Sequence, residues 1–198
     1  MQTLYHAPNS RSTSVVELIE EMGIADQIEI VTVTIPRQDG SGGPDPKNPH
    51  PEKKVPYLVN GNDHIRERGA IMVYLTDMFP DSGLGRAAGD PQRGEYLSWL
   101  FYYQGVIEPI AILHFAGLAH PAIQASLRDY DTMLARLDEV LTTQPYLLGD
   151  SFSAADILCS GPFAWFGDQM PSTPAVDAWV ARCQDRNSVR IVRGRDNG

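Results

Sequence analysis

Cysteine is scarce in this chain, with Cys159 and Cys183 the only two in 198 residues. They stand far apart and no C-x-x-C occurs, which argues against a paired-cysteine redox centre and against a cysteine-built zinc site. Both are read as buried, unreactive thiols. No run of about 18 apolar residues exists, so no transmembrane helix is expected. The opening MQTLYHAPNS lacks a basic segment followed by an apolar core, so no secretory signal is expected and the cytoplasm is the expected compartment. Positive charge is also in deficit: 16 Lys and Arg stand against 25 Asp and Glu, for a net charge of −9. Nucleic acid and anionic membrane both require a basic footprint, so neither is an expected partner. Only residues 182–195 are locally basic, and they read as a solvated tail balanced by Asp185 and Asp196.

What is present is ordinary for a soluble globular protein, with 42% hydrophobic and 21% charged residues. The length allows one large domain or two small ones. Thr3 to His6 is a short strand candidate ending at Ala7-Pro8. Ser10 to Gly23 reads as an amphipathic helix, with Val15, Val16, Leu18, Ile19 and Met22 apolar and Gly23 as a stop. Ile28 to Ile35 mostly alternates and predicts a strand. Residues 37–51, RQDGSGGPDPKNPHP, are too rich in Gly and Pro for a regular helix and predict a partly ordered loop.

The stretch 53–75, KKVPYLVNGNDHIRERGAIMVYL, carries most of the organisation. Tyr57-Leu58-Val59 is an apolar run, Asn60-Gly61 signals a tight hairpin, and His64-Ile65-Arg66 returns. Ala70, Ile71, Val73, Tyr74, Leu75 and Met78 then recur at helical spacing. Pro56 has no N–H and belongs at or before a strand start. With a cis bond before it, the N–H and C=O of Val55 would face outward, free to pair with an extended ligand.

Beyond Phe79-Pro80, residues 81–90 read as a linker and the rest as helical. Asp90 is placed to cap a helix opening at Pro91. Tyr96 to Phe115 predicts a long helix with an interruption near Glu108-Pro109, and Ala122 to Leu141 a second helix. Ser153 and Asp156 form a capping box, with Phe152 and Ile157 spaced as its staple. That pairing gives Asp156 a folding role rather than a catalytic one. Val176 to Cys183 marks a last clear helix.

Val55-Pro56, the hairpin and Glu67-Arg68-Gly69-Ala70-Ile71 resemble the glutathione-binding half of a glutathione S-transferase. The βαβ-then-ββα order and the capping box at Ser153-Asp156 resemble the same family, so the likeness spans nearly the whole chain. It implies an α+β two-domain fold: a thioredoxin-like glutathione-binding domain over 1–79, a linker over 80–90 and an all-helical domain over 91–198. The family pattern has Ser where this chain has Arg68.

The resemblance implies a cytosolic, bacterial-type transferase with a serine-type site, using glutathione as co-substrate and no metal. Thiolate is the nucleophile, and a donor at a helix N-terminus stabilises it. Ser10 is the expected catalytic donor, aided by the helix dipole, with Asn9, Arg11 and Ser12 beside it. An alternative is that Ser10 serves only as a helix cap. Val55, with Pro56, is implied to pair with the cysteinyl part of glutathione. Glu67 is placed for the γ-glutamyl ammonium and Arg68 for its carboxylate, although Arg68 could equally face solvent or a partner subunit. His50, Lys53 and Lys54 are the nearest cations for the glycyl carboxylate. A hydrophobic electrophile is expected against Trp99, Tyr102, Tyr103, Val106, Ile107 and His114, and a homodimer is implied. Two other readings stay open: a non-catalytic relative used as a binding or assembly module, and a glutathione-dependent disulfide reductase or isomerase.

Overall fold

The computed structural model describes residues 2–198, which group into two compact units. The first contains the residues up to Ser82 together with Asn187–Gly198; the second is Gly83–Arg186.

In the first unit, period-2 alternation makes strand β1, Gln2–His6, bury Gln2, Leu4 and His6 on one face. Its neighbours are β2 (Ile28–Thr32), β3 (Tyr57–Asn60) and β4 (Asp63–Ile65), in the order β2-β1-β3-β4. β1 runs parallel to β2 and antiparallel to β3, which turns back as β4. The hairpin has the expected form, with Gly61 supplying the positive φ of +59°. Helix α1 (Thr13–Glu21) and helix α2 (Arg68–Met78) complete the thioredoxin-like βαβ-ββα arrangement. Leu4, Val15, Leu18, Ile19, Leu58, Ile71, Met72 and Leu75 are wholly buried. Truncating any one such leucine to alanine costs about 2–5 kcal/mol.

Two boundaries differ from the periodic pattern. α1 begins at Thr13 rather than Ser10, because Asn9 takes a positive φ of 51° and residues 10–12 form a tight turn. β2 stops at Thr32, because the amide of Thr34 turns to donate to the Asp45 carboxylate at 3.0 Å.

The second unit is helical. α3 (Arg93–Tyr102) starts two residues later than the proline suggested, with the Asp90 carboxylate accepting from the Gln92 amide at 2.7 Å. A π-turn at Tyr103–Ile107 leads into α4 (Glu108–Phe115). A widened turn there accommodates Pro109, which has no N–H to offer the preceding one. The single helix expected over Ala122 to Leu141 is instead two, α5 (Pro121–Leu127) and α6 (Tyr130–Leu141). Arg128 breaks it with φ +83°, and Asp129 recaps the chain by accepting from the Thr132 amide at 2.8 Å.

α7 (Ala154–Phe166) carries the capping box, with Asp156 accepting from both the amide and the hydroxyl of Ser153 at 2.9 Å. Its other oxygen accepts from the Leu147 amide and the Trp179 indole, each at 2.9 Å. This wholly buried carboxyl, pushed upward in pKa by its burial, ties α7 to α8 (Pro174–Gln184) and to the preceding turn. Its role is structural, as the capping pattern implies. Cys159 and Cys183 are both buried and unpaired with each other.

The final helix, α9 (Asn187–Asn197), returns to the first unit and packs on α1. Val189 and Val192 are buried there, and the Ser188 hydroxyl donates to the Glu21 carboxylate at 2.6 Å. The basic end of the chain is therefore not a solvated tail. Arginines 190, 193 and 195 follow the outside of a helix whose apolar face is covered.

Candidate functional site

Strand pairing fixes which loops meet. Tyr5 pairs with Tyr57 and Leu58 with Ile65, so the end of β1, the start of β3 and the end of β4 share one end of the sheet. The β1–α1 turn, Val55-Pro56 and the β4–α2 junction all emerge there. Ala7 packs with Val33 and Val55 in a small buried cluster. Ser10 hangs from the same residue, its hydroxyl donating to the Ala7 carbonyl at 2.7 Å.

Ser10 is half-buried and is not a helix cap, since Ser12 occupies the N-cap position of α1. Its oxygen accepts from the Ser12 amide at 3.2 Å and lies 2.8 Å from the Ser12 hydroxyl. Ser12 is wholly buried. Arg11 is exposed beside it. Asn9 faces α9, its amide donating to the Asp196 carboxylate at 2.8 Å. Arg37, absent from the sequence-derived set, clamps this turn by donating to the carbonyls of Asn9 at 2.8 Å and Pro8 at 2.5 Å.

The Val55-Pro56 bond is cis. The segment leading into it is organised by Asn48, which is fully buried. Its side-chain amide donates to the Lys54 carbonyl at 3.0 Å and its carbonyl oxygen accepts from the His50 amide at 3.0 Å. Lys53 commits its ammonium to the Asn48 carbonyl at 2.6 Å. His50 is buried, with Nδ1 accepting from the Glu52 amide and its ring set edgewise on Tyr57 at 5.1 Å. Of the three cations named from sequence, Lys54 alone is exposed. Asn48 was legible only as part of an Asn-Pro frame; its hydrogen bonding was not.

At the third loop, Glu67 is exposed and adopts φ +65°, an uncommon conformation for a side chain of this kind. Arg68 is 8% exposed, which removes the expectation that it faces solvent. Both sit at the N-terminus of α2, where the helix dipole favours an anion.

In the helical unit, Trp99, Tyr103, Val106 and Ile107 are buried, Tyr102 is partly exposed and His114 is exposed. Trp99 stacks edgewise on Tyr102 at 5.6 Å, and its indole N–H has no hydrogen-bond partner among the described residues. His114 stacks on Tyr130 at 4.2 Å. No helix among the described residues is long and apolar enough to cross a membrane.

The feature that sequence reasoning missed joins opposite ends of the chain. The His6 Nε2–H donates to Asp196 Oδ1 at 3.0 Å, while Nδ1 lies 2.8 Å from the Ser12 hydroxyl. The second Asp196 oxygen accepts from the Asn9 amide and the Thr13 hydroxyl, both at 2.8 Å. Burial pushes the His6 imidazole below its ordinary pKa, outweighing the hydrogen bond to Asp196. The only sequence signal was the period of β1, which puts His6 on the buried face with Leu4.

The family model for the glutathione S-transferase C-terminal domain matches residues 121–182. The disulfide-bond oxidoreductase YfcG of Escherichia coli K12 is 28% identical, over 94% of this chain and 91% of its own length. A glutathione S-transferase from Actinobacillus pleuropneumoniae superposes with a TM-score of 0.82 at 19% identity, covering 100% of this chain and 94% of that one. A sphingomonad glutathione S-transferase, solved with glutathione, gives 0.76 at 24% identity over 98% of each chain. Family model and relatives support a relationship to the glutathione S-transferases, and the solved structures share the fold, a thioredoxin-like N-terminal domain with a helical C-terminal domain.

Proposed function

We propose that this protein is an enzyme that binds glutathione at the sheet end formed by Ser10, Val55 and Glu67 and activates its thiol for attack on a hydrophobic electrophile. The observation that carries this reading is the convergence of three loops on one end of the sheet. Among the described residues no hydrogen bond engages the Val55 N–H or C=O, which leaves both for an added peptide strand. The amides opening α2 suit the γ-glutamyl carboxylate, Glu67 suits the ammonium beside it, and buried Arg68 adds positive charge. Ser10 is the thiol's donor: its hydroxyl exchanges the Ala7 carbonyl for sulfur when glutathione arrives. Exposed Lys54 suits the ligand's outer carboxylate. Tyr102 and His114 keep the exposed surface that an electrophile site on the helical unit requires. A cytoplasmic homodimer is the assembly this reading carries with it.

The test is calorimetric titration of glutathione into the wild type and into Arg68→Ser, the family's residue. Saturable heat in the wild type supports the reading. Absence of heat in both proteins overturns it in favour of a non-catalytic binding module. The likeness to a disulfide-bond oxidoreductase favours a second reaction at the same site, reduction of disulfides by glutathione alone. Both protein thiols are buried, so such turnover would survive Cys159→Ser and Cys183→Ser together.

A further inference from the structure

Four polar side chains form an unbroken line from the last helix to the site: Asp196, His6, Ser12 and Ser10. The spacings are 3.0 Å from Asp196 to His6, 2.8 Å from His6 to Ser12 and 2.8 Å from Ser12 to Ser10. The inner pair is sealed, with side chains of His6 and Asp196 exposed by 2% and 1%. Only Ser10, at the end of the line, reaches the surface.

Proton positions along the line follow from its terminus. A carboxylate accepts only, so the proton of neutral His6 sits on Nε2, facing Asp196. Nδ1 is then an acceptor, and the Ser12 hydroxyl is its donor. Ser12 oxygen accepts in turn from the Ala7 amide at 3.1 Å and can accept the Ser10 hydroxyl, 2.8 Å away, once that hydroxyl turns from the Ala7 carbonyl. The row resembles the acid, base and nucleophile of a serine hydrolase with the two ring nitrogens exchanged. Ser12 is wholly buried, however, and cannot meet a substrate carbonyl. The line can move a proton without supplying a nucleophile.

We propose that His6 is the acceptor for the glutathione thiol proton, reached through Ser10 and Ser12, with Asp196 holding the imidazolium that forms. This rests on the glutathione-binding reading above. The step balances. The S–H bond breaks as its proton passes to Ser10 oxygen, the Ser10 proton passes to Ser12 oxygen, and the Ser12 proton passes to His6 Nδ1. No electrons are exchanged and no group leaves. Ser10 ends with its new proton directed at sulfur, so the thiolate keeps a hydrogen-bond donor. His6 becomes a cation between Asp196 and the thiolate, an ion pair that lowers the thiol pKa as a neighbouring imidazolium does for a cysteine. The charged groups acting on His6 are Asp196 and Arg195 of α9, the first favouring the cation and the second opposing it. At the same corner, the Glu17 carboxyl of α1 is pushed up by burial and by Asp196 and down by Arg193 of α9. His6 and Ser12 are positioning residues; Ser10 alone touches the thiol.

The discriminating variant is Ser12→Ala. It cuts the line between His6 and Ser10 while leaving the His6–Asp196 tie intact, and the N-cap position it occupies makes no side-chain capping bond. Thiolate absorbance of bound glutathione would be followed against pH for the wild type, Ser12→Ala and His6→Gln. Proton release on binding would be counted by calorimetry in buffers of different ionisation enthalpy. The wild type should form thiolate near neutral pH while releasing almost no proton, because His6 keeps it. Both variants should bind with affinity within about threefold of the wild type and shift thiolate formation upward by at least one pH unit. The thiolate they do form should release a full proton to buffer. Equal pH profiles and equal proton counts in all three proteins would overturn the relay while leaving the glutathione site standing. No heat in the wild type would overturn the glutathione reading and the relay with it.

Discussion

His6 and Asp196 stand 190 residues apart in sequence and 3.0 Å apart in space, joined by a hydrogen bond between two side chains that water does not reach. The same carboxylate also receives the Asn9 amide and the Thr13 hydroxyl, so one residue of the last helix fixes the strand end, the turn and the first helical turn around Ser10. α9 is therefore part of the architecture of the candidate site.

Asp196→Ala should loosen that corner. It strands a buried imidazole N–H, and such orphaned groups cost about 1–3 kcal/mol each. Urea unfolding should show a lower midpoint with an unchanged slope, the signature of lost stability without a change in surface exposed. Thiolate formation should fall further than stability alone accounts for, because the imidazolium loses its partner.

Glu17 provides a pH test with a definite sign. Burial pushes its carboxyl up to about 7, above the ordinary value of 4.5. A group whose folded pKa is raised contributes stability that is fully present below its unfolded value and lost as pH rises through the folded one. Glu17→Gln mimics the protonated form and does not titrate. The variant should therefore melt higher than the wild type at pH 8, with the difference shrinking towards pH 5. His6 has the opposite sign: its depressed pKa gives stability present above 6.5 and lost as pH falls through the folded value.

Glu67 offers a separation of stability from binding. Its φ of +65° costs a non-glycine residue about 1 kcal/mol or more, and strain of this kind gathers at ligand sites. Glu67→Gly should relieve it and raise the melting temperature by a few degrees. The same change removes the carboxylate proposed to meet the ligand ammonium, so glutathione affinity should drop about tenfold or more. Calorimetry and thermal melting on one preparation would read both.

Local chemistry made the hairpin at Asn60-Gly61 and the capping box at Ser153-Asp156 readable from sequence, because each depends on residues within a few positions of one another. The convergence of Ser10, Val55 and Glu67 was reached through resemblance and is explained by strand pairing. Three features escaped. The break at Arg128 interrupts an apolar periodicity that continues on both sides of it. The covered face of α9 lies in a stretch whose arginines dominate its composition. The Asp196–His6 bond is a contact between chain ends that no window of neighbouring residues contains. Arg68 was legible as a departure, but its burial was not, since a charged side chain at a helix start is more often solvated.

The measurement that tests the central claim most directly is the thiolate absorbance of bound glutathione in the wild type and in Ser10→Ala, at matched saturation near neutral pH. The account predicts that both proteins bind with affinities within a few-fold of each other. Thiolate should be present in the wild type and fall at least tenfold in the variant, about 1.4 kcal/mol or more of lost stabilisation. Equal thiolate in the two proteins would contradict it, because the donor to sulfur would then lie elsewhere than Ser10.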